Sequence, residues 1–221
     1  MGGRRCDRRA LNEDGEYLMS NISVRNVTRV FRLSTHEHLA AGLSWYRDAH
    51  DIALGLSAIS GVQVNRVAGI LSAFSPLNSW GSNVNGAARF LRSGGTSGGH
   101  TVANVNKARA ILAGADNAKT LRGLKTVAFA ELILSAGQSA SVCIDRHAYD
   151  IATNTRNTDA TRNITDKRYR LSAAAYRGAA VILSRELGFT ISGAQVQAVT
   201  WLTWRARYFS AGVFDYKGES L

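Results

Sequence analysis

Residues 121–147 read LRGLKTVAFAELILSAGQSASVCIDRH. The segment Leu121-Arg122-Gly123-Leu124-Lys125-Thr126 is a turn entering a helix, where a glycine lets the backbone bend tightly and approach a ligand closely. The helix that follows, VAFAELILSA, is apolar and takes Gly137 as its C-cap. Val142-Cys143-Ile144 is short and apolar, as a buried segment is. Asp145 then opens another helix, Asp being among the residues favoured at an N-cap. It lies 22 residues beyond Gly123, after a helix long enough to bring the chain back to the same face. Helix, turn, helix, short strap and helix in one stretch predict an all-α protein.

The flanking sequence agrees. There is one proline, Pro76, and 21 glycines, most of them between apolar periodic segments; strand-like alternation is scarce. From about 36 to 58, Leu39, Leu43, Tyr46, Ala49, Ala53 and Leu56 recur at spacings of three and four, with Thr35 as cap. VQVNRVAGILSA predicts a buried helix over 63–73, stopped at Phe74-Ser75-Pro76 because the residue before proline is pushed out of helical geometry. Two short helices, 83–92 and 102–113, flank the Gly/Ser stretch RSGGTSGGH, read as a flexible loop. A polar loop at 154–166 precedes two helices at about 170–187 and 193–207. No repeat or linker divides the chain. The expectation is one all-α domain over 21–221 with nine or ten helices, behind a flexible basic arm at 1–20 carrying Arg4, Arg5, Arg8 and Arg9.

Charge is the first functional number. Lys plus Arg total 27 against 16 acidic residues, a net +11, with a pI near 10.3. Twenty-two of the 27 are arginine, which forks onto phosphate oxygens with two donors where lysine acts as a point charge. The excess is spread along the chain, as suits a folded surface facing a polyanion, nucleic acid first. No apolar run approaches the ~20 residues of a membrane span. Cys6 and Cys143 are too few for a disulfide framework, a four-thiolate zinc site or an iron–sulfur cluster. His36, His38 and His50 do not make a metal site, since positions i and i+2 point to different helix faces. A cytoplasmic monomer without metal or cofactor is the expectation.

Chemistry concentrates in the opening stretch. The amides at the turn and at the start of the next helix point outward, where they can hold one DNA phosphate, and Arg122 and Lys125 add charge there. Arg122, Gly123, Leu124, Lys125 and Thr126 are therefore the candidate DNA contacts. Asp145 taken alone reads as an N-cap; its separation from the turn is what makes the two segments worth reading together.

The two segments together resemble the helix-hairpin-helix DNA glycosylases of the endonuclease III superfamily. That family shows a hairpin of type L-P-G-V-G-x-K, a helix, then aliphatic-x-V-D-x-H with a catalytic Asp. Laid without a gap, Leu121 and Gly123 fall on the family's Leu and first Gly, Asp145 on its Asp and His147 on its His. Ile70-Leu71-Ser72-Ala73-Phe74 is similar to its L-L-S-A-Q segment. Val84 to Ala87 and Lys107 to Leu112 resemble its next two helices. The likeness runs over roughly 60–155. Three departures stand out: the hairpin's Pro is Arg122 and its second Gly is Lys125; the position of the lysine of bifunctional members is Val127, with Lys125 available only by shifting the gap; and the four-cysteine cluster is absent.

The resemblance implies a compact, monofunctional glycosylase without an iron–sulfur cluster. A base is rotated out of the duplex, positive charge builds on its sugar, and Asp145 stabilises that charge and orients water. Without an amine there is no Schiff base and no strand cleavage. The segment Phe74–Gly81 lies where the family places groups beside the flipped base. Phe74, Asn78, Trp80, Trp45, Tyr46 and Tyr149 are thus the base-pocket candidates. His147 is expected to orient the Asp-x-His turn through hydrogen bonds, and Trp201 and Trp204 to be packing residues. The expected partner is double-stranded DNA, with a modified base, phage hypermodified bases included, as the excised group and antiviral defence as the role. The competing readings are a binding module that kept the hairpin and lost catalysis, and an enzyme of phage base hypermodification on the same scaffold.

Overall fold

The computed structural model describes residues 21–96, 101–155 and 164–209. The expected basic arm, the centre of the Gly/Ser stretch and most of the polar loop lie outside the described residues. Within them the chain is helical throughout, with no strand: α1 (Val24–Phe31), α2 (His36–Ser60), α3 (Val64–Phe74), α4 (Trp80–Arg92), α5 (Val102–Leu112), α6 (Asn117–Leu121), α7 (Leu124–Leu134), α8 (Arg146–Thr153), α9 (Asp166–Leu187) and α10 (Gly193–Tyr208). The all-α expectation holds for the described residues.

Local chemistry sets most of these boundaries. Ser23, Thr35, Ser79, Thr101, Asp116, Asp145, Thr165 and Ser192 each accept an amide at the first turn of the following helix, a bond worth about 1 kcal/mol. Only α3, behind Gln63, and α7, behind Gly123, start without a side-chain cap. At the other end, α7 closes three residues before Gly137. Ala136 is left-handed at φ 51°, and the Gly137 amide reaches back to the Leu132 carbonyl at 2.8 Å, the Schellman pattern.

Two hydrophobic cores share one wall. The first gathers α3, buried along Val67 to Phe74, with the inner faces of α2, α4, α5, α6 and α7. The second gathers α1, α8 and α9. Helix α10 serves both, giving Ala194 and Ala198 to the first and Val196, Val199 and Trp204 to the second. The strap before α8 alternates in the same way, with Cys143 in the first core and Val142 and Ile144 in the second. Asp145 ends that strap at the seam between the cores. The crossing of α2 over α10 is close because Gly42 has no β-carbon; one placed there would stand 2.5 Å from Val199 Cα and 2.6 Å from its amide nitrogen.

Candidate functional site

The turn between α6 and α7 departs from the expectation in one respect. The left-handed residue is Arg122 (φ 60°, ψ −33°), while Gly123 is extended at φ −81°. The Gly123 amide donates to the Leu121 carbonyl at 2.8 Å, so the bend is a three-residue γ-turn, a strained form. It is also a bend that proline, locked near φ −65°, cannot make, and proline is what the resembled family carries at this position. Gly123 has no side chain to cap α7. The helix therefore begins with uncapped amides at Leu124, Lys125 and Thr126, the arrangement that suits an anion. Arg122 is exposed beside them.

Buried hydrogen bonds tie this turn to the strap. The Tyr169 hydroxyl donates to the Val142 carbonyl at 2.8 Å, has the Leu124 carbonyl at 3.3 Å, and accepts the Ile144 amide at 3.3 Å. The Cys143 thiol points at the Lys125 carbonyl, 3.8 Å away. Burial raises the Tyr169 hydroxyl above its ordinary range and pushes the Cys143 thiol up to about 12. Both stay protonated at neutral pH and remain donors. The start of α7 and the chain leading to Asp145 are thus held side by side.

Asp145 is half-buried and uses both carboxylate oxygens. Oδ1 accepts the Ala148 amide at 2.8 Å, capping α8, and Oδ2 accepts the Trp201 indole N–H at 2.8 Å. A carboxylate offers about four lone-pair sites, so two remain. The Arg205 guanidinium lies over the Trp201 ring, 4.6 Å from its centroid. His147 is buried, with its ring 6.2 Å from that of Trp201 and 4.7 Å from that of Phe209. Burial lowers its pKa; Asp145 opposes this, and Arg146, Arg205 and Lys125 add to it. These charges place three cations and one carboxylate around a single imidazole.

His147 makes one hydrogen bond, and it lies within the Asp-x-His turn. Its Nδ1 is buried without a partner, and Nε2 meets only the Arg146 Nε at 3.4 Å. Trp201, expected only to pack, also gives its indole N–H to Asp145; Trp204 packs, 5% exposed in the second core.

The base-pocket candidates divide. Trp45, Tyr46 and Trp80 come together with Phe129, which the sequence reading missed: the Trp45 ring lies 4.8 Å from Tyr46, 5.2 Å from Trp80 and 5.8 Å from Phe129. Tyr46 is buried and donates to Gln197 Oε1 at 2.9 Å, and burial raises its pKa well above the ordinary range. Trp45 and Trp80 are half-buried. Phe74 belongs elsewhere: α3 continues through it, and it is fully buried edge-on against Phe90, 5.3 Å between centroids. Tyr149 packs on the second core, a turn of helix past Asp145. Asn78 is half-buried, its side-chain amide 3.4 Å from the Phe74 carbonyl. His50 points Nδ1 at the Ile133 carbonyl at 3.0 Å. A groove of about 460 Å³ lies along the other face of α7, between Arg66, Asp116, Val127 and Glu131, and Asp145 does not line it.

On α10, Gln197, Trp201 and Arg205 stand at i, i+4 and i+8, one polar stripe along a mostly buried helix. That spacing was the available signal, and the tryptophan in its middle obscured it. Among the described residues no helix is long and apolar enough to cross a membrane by itself. The chain belongs to the family DUF7178, a family of unknown function, which matches residues 12–208. No curated protein and no solved structure matches it.

Proposed function

We propose that this member of the DUF7178 family is a monofunctional DNA glycosylase that hydrolyses the N-glycosidic bond of a flipped, modified base and leaves an abasic site. One observation carries the reading: Tyr169 and Cys143 hold the uncapped start of α7 against the strap that ends in Asp145. A phosphate on the amides of Leu124 to Thr126, with Arg122 and Lys125 beside it, sets the strand so that the neighbouring sugar faces the carboxylate. As the bond from C1′ to the base breaks, its electron pair leaves with the base, which takes up a proton. The charge left on the sugar is stabilised by Asp145. Water, its proton accepted by that carboxylate, adds through oxygen to C1′. Trp45 and Trp80 supply aromatic faces on which an extruded base can stack. Val127, at the position of the lyase lysine, has no amine and packs on the first core.

Lys125 favours a second reading. Its carbonyl faces the Cys143 thiol at 3.8 Å, two residues before Asp145, which places a lysine at the turn beside the strap; on this reading its amine displaces the base at C1′ and the strand is then cleaved.

The test uses unmodified DNA and phage DNA carrying hydroxymethylated or glucosylated pyrimidines, followed by alkali and a gel. Breaks that appear only after alkali and only with modified DNA, absent in Asp145→Asn although DNA binding persists, are the expected result. Breaks without alkali, with a borohydride-trapped adduct lost in Lys125→Met, support the lyase reading. A mobility shift with no breaks, or a base changed in mass without release, overturns both in favour of a binding module or a base-modifying enzyme. Antiviral defence follows only from the first outcome, through release of bases from infecting phage DNA.

A further inference from the structure

We infer that Trp201 is a positioning residue for Asp145, with Arg205 as its clamp; the inference rests on the reading of Asp145 as the carboxylate that faces the sugar. An N-cap alone fixes one oxygen. The terminal torsion of aspartate is broad, so a carboxylate bound only through Oδ1 to the Ala148 amide can swing its second oxygen. The 2.8 Å bond from the Trp201 indole to Oδ2 fixes the plane. That bond joins α8 to α10 across the seam of the two cores, and it is charge-assisted, the stronger class of hydrogen bond. The donor is itself held. Arg205, one turn further along α10, covers the Trp201 ring at 4.6 Å, the favourable placement of a cation over an indole face. Arg205 also brings a positive charge to the carboxylate, which it feels directly. With both oxygens engaged, the remaining lone pairs keep a fixed direction, and a reacting group displaced by even 1 Å costs about 100-fold in rate.

The arrangement is unlike a packing contact in three ways. The indole is half-buried rather than interior. Its N–H goes to an ionisable side chain 56 positions away. Its neighbour Trp204, fully in the core, leaves its own Nε1 without a partner, so hydrogen bonding is not something the helix requires of its tryptophans.

The variant Trp201→Phe keeps an aromatic ring beneath Arg205 and removes the donor together with one ring of the indole. Base release under saturating DNA should fall about 10- to 100-fold, with the DNA dissociation constant unchanged within twofold. A spectrum of 15N-tryptophan-labelled protein gives the readout that needs no turnover. Of the four indole N–H signals, one for each tryptophan, the one missing in Trp201→Phe should move upfield in Asp145→Asn, because the acceptor loses its charge. A Trp201 signal unmoved by Asp145→Asn overturns the inference, as does a Trp201→Phe enzyme with wild-type turnover. Wild-type protein that releases no base from any of the DNAs instead sinks the glycosylase reading, and the catalytic meaning of Trp201 with it. The two failures are therefore told apart by whether the wild type turns over.

Discussion

The crossing of α2 over α10 gives the sharpest test of the packing, because two glycines of one helix should answer the same substitution with opposite sign. Gly55 is exposed on α2 and has nothing within 4 Å of where a β-carbon would stand. Alanine there gains helix propensity and removes disorder from the unfolded chain, together about 0.5–1 kcal/mol of stability. Gly42→Ala has the same gain, but its methyl would sit 2.5 Å from Val199 Cα and 2.6 Å from its amide nitrogen. Those atoms are backbone, so no rotamer change relieves them and the helices must part. Overpacking costs typically 1–3 kcal/mol, which set against that gain leaves Gly42→Ala less stable than wild type by up to about 2.5 kcal/mol. For a chain of this size each 1 kcal/mol is about 2–4 °C in Tm. Urea and thermal unfolding of both variants read the two values. Because Tyr46 meets Gln197 across the same crossing, Gly42→Ala should also lower base release. If Gly42→Ala stabilises the protein as Gly55→Ala does, the close approach is wrong, and with it the alignment of α10 against Asp145.

Three shorter predictions follow from the site. Arg122→Gly relieves the positive φ and should raise stability by up to about 1 kcal/mol, whereas Arg122→Pro cannot form the γ-turn and should cost several times that; denaturant midpoints of both, compared with wild type, decide it. The Cys143 thiol, buried and pushed up to about 12, should resist iodoacetamide at pH 8 until the protein unfolds, and mass spectrometry of its peptide follows the modification. His147 has its pKa lowered in the fold, chiefly by burial. The unfolded chain therefore takes up the proton first as pH falls below about 6.5, and stability declines by up to about 1.4 kcal/mol per pH unit until the folded imidazole also protonates. His147→Phe should flatten that limb, and equal pH dependence in variant and wild type would refute the assignment.

What could be read from the chain was what neighbours in sequence decide. Thr35 and Asp145 announce helix starts because a cap bonds an amide three residues on, and the pair formed by the 121–126 turn and Asp145 lies within one local stretch. Helix α1 escaped because VRNVTRVF spreads Arg, Asn and Thr among its apolar positions and buries only Val27, Thr28, Val30 and Phe31; it folds against α9, more than 130 residues away, where Gly178 gives it room beside Val24. Phe74 was misplaced because the residues after it look like a loop, yet α3 runs one residue further than expected and buries it in the core. The partner of Trp201 could not be read at all, since it depends on how α10 lies over the strap. Arg122 shows the converse: the glycine beside it took the credit for a turn whose strained residue is the arginine.

The charge around Asp145 separates the proposals further. A surface that only binds DNA gains nothing from a carboxylate beside Arg146 and Arg205, since it repels the phosphates those cations attract. At the spacing of neighbouring charges on a wet surface that repulsion is about 0.5–1 kcal/mol, or roughly a two- to fivefold loss of affinity that salt should erase. Asp145→Asn, which keeps a good capping residue, should therefore bind DNA more tightly than wild type at low salt and equally at high salt. Tighter binding together with lost base release means that the carboxylate is kept for chemistry at the expense of affinity. Tighter binding with no release by either protein means that it is kept for the cap and the Trp201 bond alone. Weaker binding at low salt would place residue 145 away from the phosphates, and the DNA-facing surface would have to be sought elsewhere on the molecule.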